Sequence, residues 1–344
     1  MEKVKQFCTK WRWLLLVLGG GLLFIAILSI WENAKQTALY DQQMAYRWGN
    51  NKGVTQVSCF YPTDQTFDSF YLLEIEHGIE EGLKEASIEA PKEGARLWVD
   101  GFSAKGKLTV KTEKASIDLN AYGVDGDFFS FHPIPLLSGS FFSKDSMMQD
   151  GIVLDEDAAW QLFGSNDIAG QQVMIGGVPH HVTGVVKREE GRFAKSAGLE
   201  SSLCYVSLDS LIQYGSGVRD YCYEVVLPNP VKHFGKALIE KLVGKEGAVE
   251  VEIVENTGRF SLLRVASLLQ NFGIRSMSRM GIVYPYWENI ARAYEDIFVV
   301  IEFVKIVLWL ITLGIVLWIL CHELKGKQWN IKDKIKGIWK RRLG

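Results

Sequence analysis

Hydrophobic and polar positions divide the chain into two apolar ends and a patterned middle. Trp13 to Ile30 is a run without a charged side chain, long enough at about 1.5 Å per residue to cross a hydrocarbon layer of roughly 30 Å. It exits through Ser29-Ile30-Trp31-Glu32-Asn33, without the short core and small-residue cleavage site of a signal peptide, so a retained membrane helix is predicted over 13–31. A second is predicted over 296–321, from Ile297–Ile301 and the uncharged stretch Ile306–Leu320. Glu302 and Lys305 interrupt it on one helix face and read as a helix–helix or interfacial pair, because charges in a span need partners. Gly19, Gly20 and Gly21 either mark a close-packing face or are simply tolerated in a membrane helix.

The middle alternates between two periods. Glu32–Arg47 is predicted to continue the first helix outward, ending near Gly49. Val54–Tyr61 alternates as a strand, and Phe67–Ala86 has helical spacing that turns Phe70, Leu73, Ile75, Ile79 and Leu83 toward a core. Arg96–Phe102 is strand-like, and Leu108–Tyr122 is turn-rich β structure. Short strands at Gly151–Leu154, Gln172–Ile175 and His181–Lys187 follow, with a helix at Asp157–Phe163 and a hairpin signal at Gly176-Gly177. Ser202–Val206 and Tyr221–Leu227 are predicted strands, Val231–Val243 a helix and Val249–Val254 a strand. Phe260–Phe303 is predicted mostly helical. This order predicts an α+β domain over 32–295, a β-α-β layer interrupted by an inserted β-rich subdomain at about 125–200.

Charge adds a direction. Lys3, Lys5, Lys10 and Arg12 precede the first span, and the run from Lys325 to Arg342 follows the second, so the tails 1–12 and 322–344 belong in the cytoplasm. The domain between them is then extracytoplasmic at the cell membrane, with the lipid bilayer as its first partner. In the C-terminal tail, Trp329, Ile331, Ile335, Ile338 and Trp339 share a helix face opposite a basic one, which suits the anionic inner leaflet or a cytoplasmic partner. A formal net charge of -2 gives no electrostatic case for nucleic acid. Of five cysteines, Cys59, Cys204 and Cys222 fall in the outer domain. Cys204 and Cys222 lie in strand-like runs, either bridged or buried as thiols.

Candidate chemistry is sparse. Gly101–Leu108 approaches a phosphate-binding loop, but Leu108 stands where Ser or Thr must hold Mg²⁺, and a strand follows where a helix is needed. Ile152–Glu156 resembles its acidic companion motif and falls with it. His180-His181 are strand neighbours on opposite faces and make a poor shared metal site. The acidic cluster Glu74, Glu76, Glu80 and Glu81 reads as the wet face of a helix. No catalytic constellation and no cofactor are expected.

From Tyr122 onward the ordered series Gly123–Phe129, Pro135–Phe142 with Asp145, Ile152–Ala159, Leu162–Gly164, Ile168–Gly170 and Val182–Val186 resembles the MacB-type periplasmic core domain of ABC transporter permeases. The resemblance implies two subdomains, one β-α-β layered like a porter domain and one inserted β-rich unit. It also implies an outer domain moved by ATP hydrolysis in a cytoplasmic ATPase. Such permeases continue into two further membrane helices, where this sequence holds a basic tail. The expectation is therefore a non-enzymatic subunit of a MacB/FtsX-like assembly, partnered by a separate ABC ATPase and by a fuller permease or a second copy of itself. Its outer domain would bind a substrate, a peptide or an envelope component. The rival expectation is a stand-alone sensor or scaffold.

Overall fold

The structure is a computed structural model, and it describes residues 2, 7, 9–49, 53–67, 69–90, 92, 94–143, 148–244 and 251–342, with side chains, except that of Ser69, as far as Lys325. Helix α1 (Arg12–Thr37) opens the chain. A 3-10 turn at Tyr40–Gln43 and helix α2 (Met44–Gly49) follow. Glu32–Arg47 is thus bent where one continuous helix was expected. The cause is tertiary: Gln56 accepts from the Met44 N–H at 2.8 Å and donates to the Asp41 carbonyl at 2.7 Å. Arg47 donates to the Tyr40, Ser130 and Phe131 carbonyls, so the chain leaving α1 is tied down on both sides.

The domain then unrolls as β1 (Val54–Phe60), α3 (Ser69–Glu85), β2 (Val99–Lys111), β3 (Ser116–Gly126), α4 (Phe128–Phe131), β4 (Leu136–Gly139) and β5 (Gly151–Asp155). Next come α5 (Glu156–Phe163), β6 (Gln172–Ile175), β7 (Val178–Val186), β8 (Leu203–Ser207), α6 (Leu208–Tyr214) and β9 (Ser216–Pro228). The last stretch is α7 (Phe234–Val243), β10 (Glu252–Glu255), α8 (Leu262–Ser267), the small hairpin β11 (Ser278–Arg279) and β12 (Ile282–Val283), and α9 (Tyr286–Arg342). Phe260–Phe303, expected mostly helical, is broken by that hairpin, and α9 starts only after Pro285.

Local chemistry explains several boundaries. Asp155 caps α5 by accepting from the Ala158 N–H, and Ser207 caps α6 by accepting from Ser210. Gly176 and Gly177 take φ of 60° and 84°, the left-handed pair that a tight β6–β7 hairpin demands.

Ten strands form one sheet in the order β10-β1-β9-β2-β3-β8-β5-β7-β4, with β6 pairing both β2 and β7. The pairings β3–β8 and β5–β7 are parallel and the others antiparallel. Because β6 reaches back to the tip of β2, the strands β2-β3-β8-β5-β7-β6 close into a ring at one end of the sheet. From the stretch 125–200 the ring takes β5, β6 and β7, while β4 lies outside it on the edge of β7; β8 stands between β3 and β5, and the long β2 and β3 run through both halves of the sheet.

Period-two alternation sends side chains to two cores. Val57, Ile152, Cys204 and Tyr223 join the core under α3 and α7 and inside the ring. Phe60, Val153, Tyr205 and Cys222 join an aromatic core around Trp287 on the other face. Helix α3 buries Leu72, Ile75, Ile79 and Leu83, whereas Phe70 and Leu73, expected inward, are exposed. The bridge considered between Cys204 and Cys222 does not form, and both are buried free thiols. They lie on opposite faces, on strands three steps apart and hence roughly 14 Å distant, beyond the reach of a disulfide.

Candidate functional site

The two apolar helices lie against each other along their length. At one end Trp11 Nε1 and Lys10 Nζ donate to the same oxygen of Glu323 at 3.0 and 2.7 Å, and the Trp11 ring meets Trp318 edge-on. Midway, a Cβ at Gly21 would stand 3.7 Å from Thr312 Oγ1, while Gly19 and Gly20 face no atom within 4 Å. Of the three glycines, only Gly21 therefore lies at the helix–helix contact. At the other end Lys305 Nζ lies 2.5 Å from Glu302 and 2.6 Å from Glu32 of α1. The pair nominated from sequence is a triad across two helices. Glu32 escaped notice because it reads as the polar end of an apolar run.

A longer polar chain begins four residues beyond α1 and crosses the aromatic face of the sheet. Asp41 Oδ1 stands 2.8 Å from His132 Nδ1, and His132 Nε2 stands 2.6 Å from Glu224 Oε2. Ser58 donates to the other Glu224 oxygen at 2.8 Å, and Asn256 donates to Ser58 at 2.8 Å. Arg259 donates to Asn256 at 3.0 Å and grips Glu288 of α9 with two parallel bonds of 2.7 and 2.8 Å. It also reaches Glu295 at 2.5 Å. Around these acids, Arg292 bridges Glu288 to Glu252 on β10, and Arg275 bridges Glu295 to Asp296.

Every intermediate member of this chain is buried, with His132 fully enclosed and its ring tilted at 43° to the Trp287 ring, 4.2 Å away. A carboxylate at each ring nitrogen makes both nitrogens donors, which is the imidazolium form. Burial by itself disfavours that cation, but Glu224 and Asp41 outweigh it and raise the His132 pKa to about 9. Burial likewise opposes the Arg259 charge, and Glu288 and Glu295 more than compensate, holding its pKa above the usual guanidinium value. The arrangement has its side chains engaged with one another, the Ser58 hydroxyl included. What it does is tie the exit of α1, the strands β1, β9 and β10, and the root of α9 into one polar unit.

The other nominated residues fall elsewhere. His180 is buried against Ser210 at 3.2 Å, and His181 is exposed beside Asp150 at 3.0 Å, on opposite faces of β7. Among the described residues no group of three or more His, Cys, Asp or Glu could hold a metal ion. The stretch resembling a phosphate loop is the body of β2, whose backbone is engaged by β3 and β9. Asp155, the aspartate of its companion motif, is a helix cap that also accepts from the Leu203 N–H at 2.8 Å. Burial moves its pKa up to about 6 against the pull of those two N–H groups. The side chains of Trp329, Ile331, Ile335, Ile338 and Trp339 lie outside the described ones, although the α9 backbone runs on to Arg342.

The fold defines a class: a layered α+β domain inserted between two helices long and apolar enough to cross a membrane. The chain belongs to the MacB-like periplasmic core domain family, whose model matches residues 14–231. This is a domain of ABC transporter permeases and not a catalytic family. The chain is 30% identical over 100 residues to the macrolide export ATP-binding/permease protein MacB of Chromobacterium violaceum, which covers 28% of this chain and 16% of that protein. It is 25% identical over 108 residues to MacB of Escherichia coli strain K12, covering 30% of this chain and 17% of that protein. The matched stretch is thus about a sixth of the length of these relatives. Among solved structures, the extracellular domain of the noncanonic ABC-type transporter YknZ from Gram-positive bacteria is similar at 19% identity and a TM-score of 0.36, over 57% of this chain and 99% of that one. The periplasmic region of MacB from Actinobacillus actinomycetemcomitans is similar at 19% identity and a TM-score of 0.38, over 61% and 94%.

Proposed function

We propose that this chain is a non-enzymatic membrane subunit of a MacB/FtsX-like ABC transporter assembly, whose outer domain transmits motion between its membrane helices and an extracytoplasmic substrate, peptide or envelope component. Both helices cross the membrane in this reading, with the termini in the cytoplasm as the basic flanks favour. A separate ATPase supplies the energy, and a fuller permease or a second copy supplies the neighbouring helices. The observation that carries the reading is the unbroken buried chain from Asp41 to Glu288 and Glu295. A displacement of either helix root cannot be absorbed locally there without breaking a buried charge pair, so it passes to the sheet.

Purification in mild detergent tests this directly. An ATPase and a permease should co-purify, and ATP should change the distance between a spin label on α3 and one on α9. A lone monomer whose label distance ignores nucleotide would refute the proposal. In an assembly that does respond, Arg259→Met should weaken the response while leaving ATP hydrolysis intact.

A further inference from the structure

Among the described residues of the outer domain, 262–280 carry the densest group of exposed apolar side chains. Leu263 is 84% exposed and Ile274 67%, with Leu262, Leu269 and Phe272 also turned outward. A soluble surface tolerates single exposed apolar residues but rarely a contiguous group of this size. The position of the segment says what covers it. Its inward side chains, Val265 and Leu268, pack with Trp31 at the end of the first apolar run and with Phe298 and Val299 at the start of the second. Asp296 fixes the same height from a second direction, accepting from the Gly273 N–H at 3.2 Å and from Arg275 at 2.9 Å. Leu263, Phe272 and Ile274 therefore stand near the edge of the two apolar runs, where α9 itself exposes Val300 and Phe303 just beyond the buried Phe298 and Val299.

We infer that α8 and the loop after it form a foot that inserts apolar side chains into the outer leaflet of the bilayer, beside the root of α9. The inference rests on the reading that α1 and α9 cross the membrane. A short amphipathic segment at the interface, polar toward the domain and apolar toward lipid, has the build of an interfacial anchor. Arg264 shows the other side of that division, turning inward to donate to the Glu255 carbonyl at 2.6 Å. Seated there, the foot would hold the domain at a set height while α9 moves beside it.

Depth-dependent quenching tests the assignment on the full chain in phospholipid nanodiscs. Cys8 and Cys321 are replaced by Ser, and a single environment-sensitive fluorophore is attached at Leu263→Cys or Phe272→Cys. Phospholipid carrying a nitroxide high on its acyl chain is the quencher. Leu310→Cys within α9 is the positive control and Leu73→Cys on α3 the negative one. Labels at Leu263 and Phe272 should lose at least about two-fold in intensity, as expected for side chains at the headgroup–acyl boundary. Labels there that stay as bright as the Leu73 label, while the Leu310 label is quenched, overturn the foot and leave the span intact; a second copy or a permease then covers this face. A Leu310 label that is itself unquenched removes the span, and the foot with it.

Discussion

Replacing His132 by Phe removes one cation from the middle of the buried polar chain while keeping a ring on Trp287. The native imidazolium sits between Asp41 and Glu224, with a pKa raised from the ordinary 6.5 to about 9. A folded-state pKa above the unfolded one adds stability that is fully present below about pH 6.5 and is lost as pH rises through about 9. The interval corresponds to on the order of 3 kcal/mol at about 1.4 kcal/mol per unit. For a domain of this size that is a shift of roughly 6–12 °C in Tm. The assay is thermal unfolding of the full chain in mild detergent, followed by tryptophan fluorescence at intervals from pH 6 to pH 10. His132→Phe should start lower, and the native protein should lose about that much more Tm than the variant across the window; the loss from the buried thiols Cys59, Cys204 and Cys222, whose pKa values burial raises, is common to both. Glu224→Gln, which removes the carboxylate with the larger effect on the histidine, should move the inflection toward neutral pH. Parallel native and His132→Phe profiles would refute the reasoning, because the histidine would then be neutral when folded. A pKa of about 9 also means that the clamp stays closed at neutral pH, so His132 acts as a permanent tie and not as a sensor of mild acidification.

Three further outcomes follow from the same geometry. Arg259→Met leaves Glu288 and Glu295 buried without their main partner and should cost about 3–5 kcal/mol, read as a fall in unfolding midpoint. Lys305→Met leaves Glu32 and Glu302 facing each other and should loosen the α1–α9 pair more than Glu302→Gln does; oxidative cross-linking of Gly21→Cys with Thr312→Cys measures it. Gly139 has φ +73°, and an added Cβ would lie 2.1 Å from the Thr183 carbonyl oxygen, so Gly139→Ala should destabilise β4 by more than the roughly 1–2 kcal/mol of backbone strain alone, again read by thermal unfolding.

What the sequence determined by itself follows from local physics. Apolar runs at 13–31 and 296–321 are long enough to span, and that property needs no knowledge of the fold. Period two in β1, the short apolar runs of β5 and β8, and period 3.6 in α3 identify strands and helix for the same reason. The Gly-Gly hairpin is equally local. The helical period leaves phase open by about one residue, which is why Phe70 and Leu73 were expected inward when Leu72 took that place. Strand order is not local at all. Nothing along the chain says that β8 inserts between β3 and β5, and that placement keeps Cys204 and Cys222 apart. The Glu288–Arg292 pair, one helical turn apart, was visible as a charge pattern, yet solvated pairs look the same in sequence. Only the tertiary structure buries them, because only folding brings Asp41, His132, Glu224, Ser58, Asn256 and Arg259 from five separate stretches of chain into hydrogen-bonding distance. A charge in water has partners everywhere; once the sheet and α9 exclude water, it keeps only those that the topology supplies.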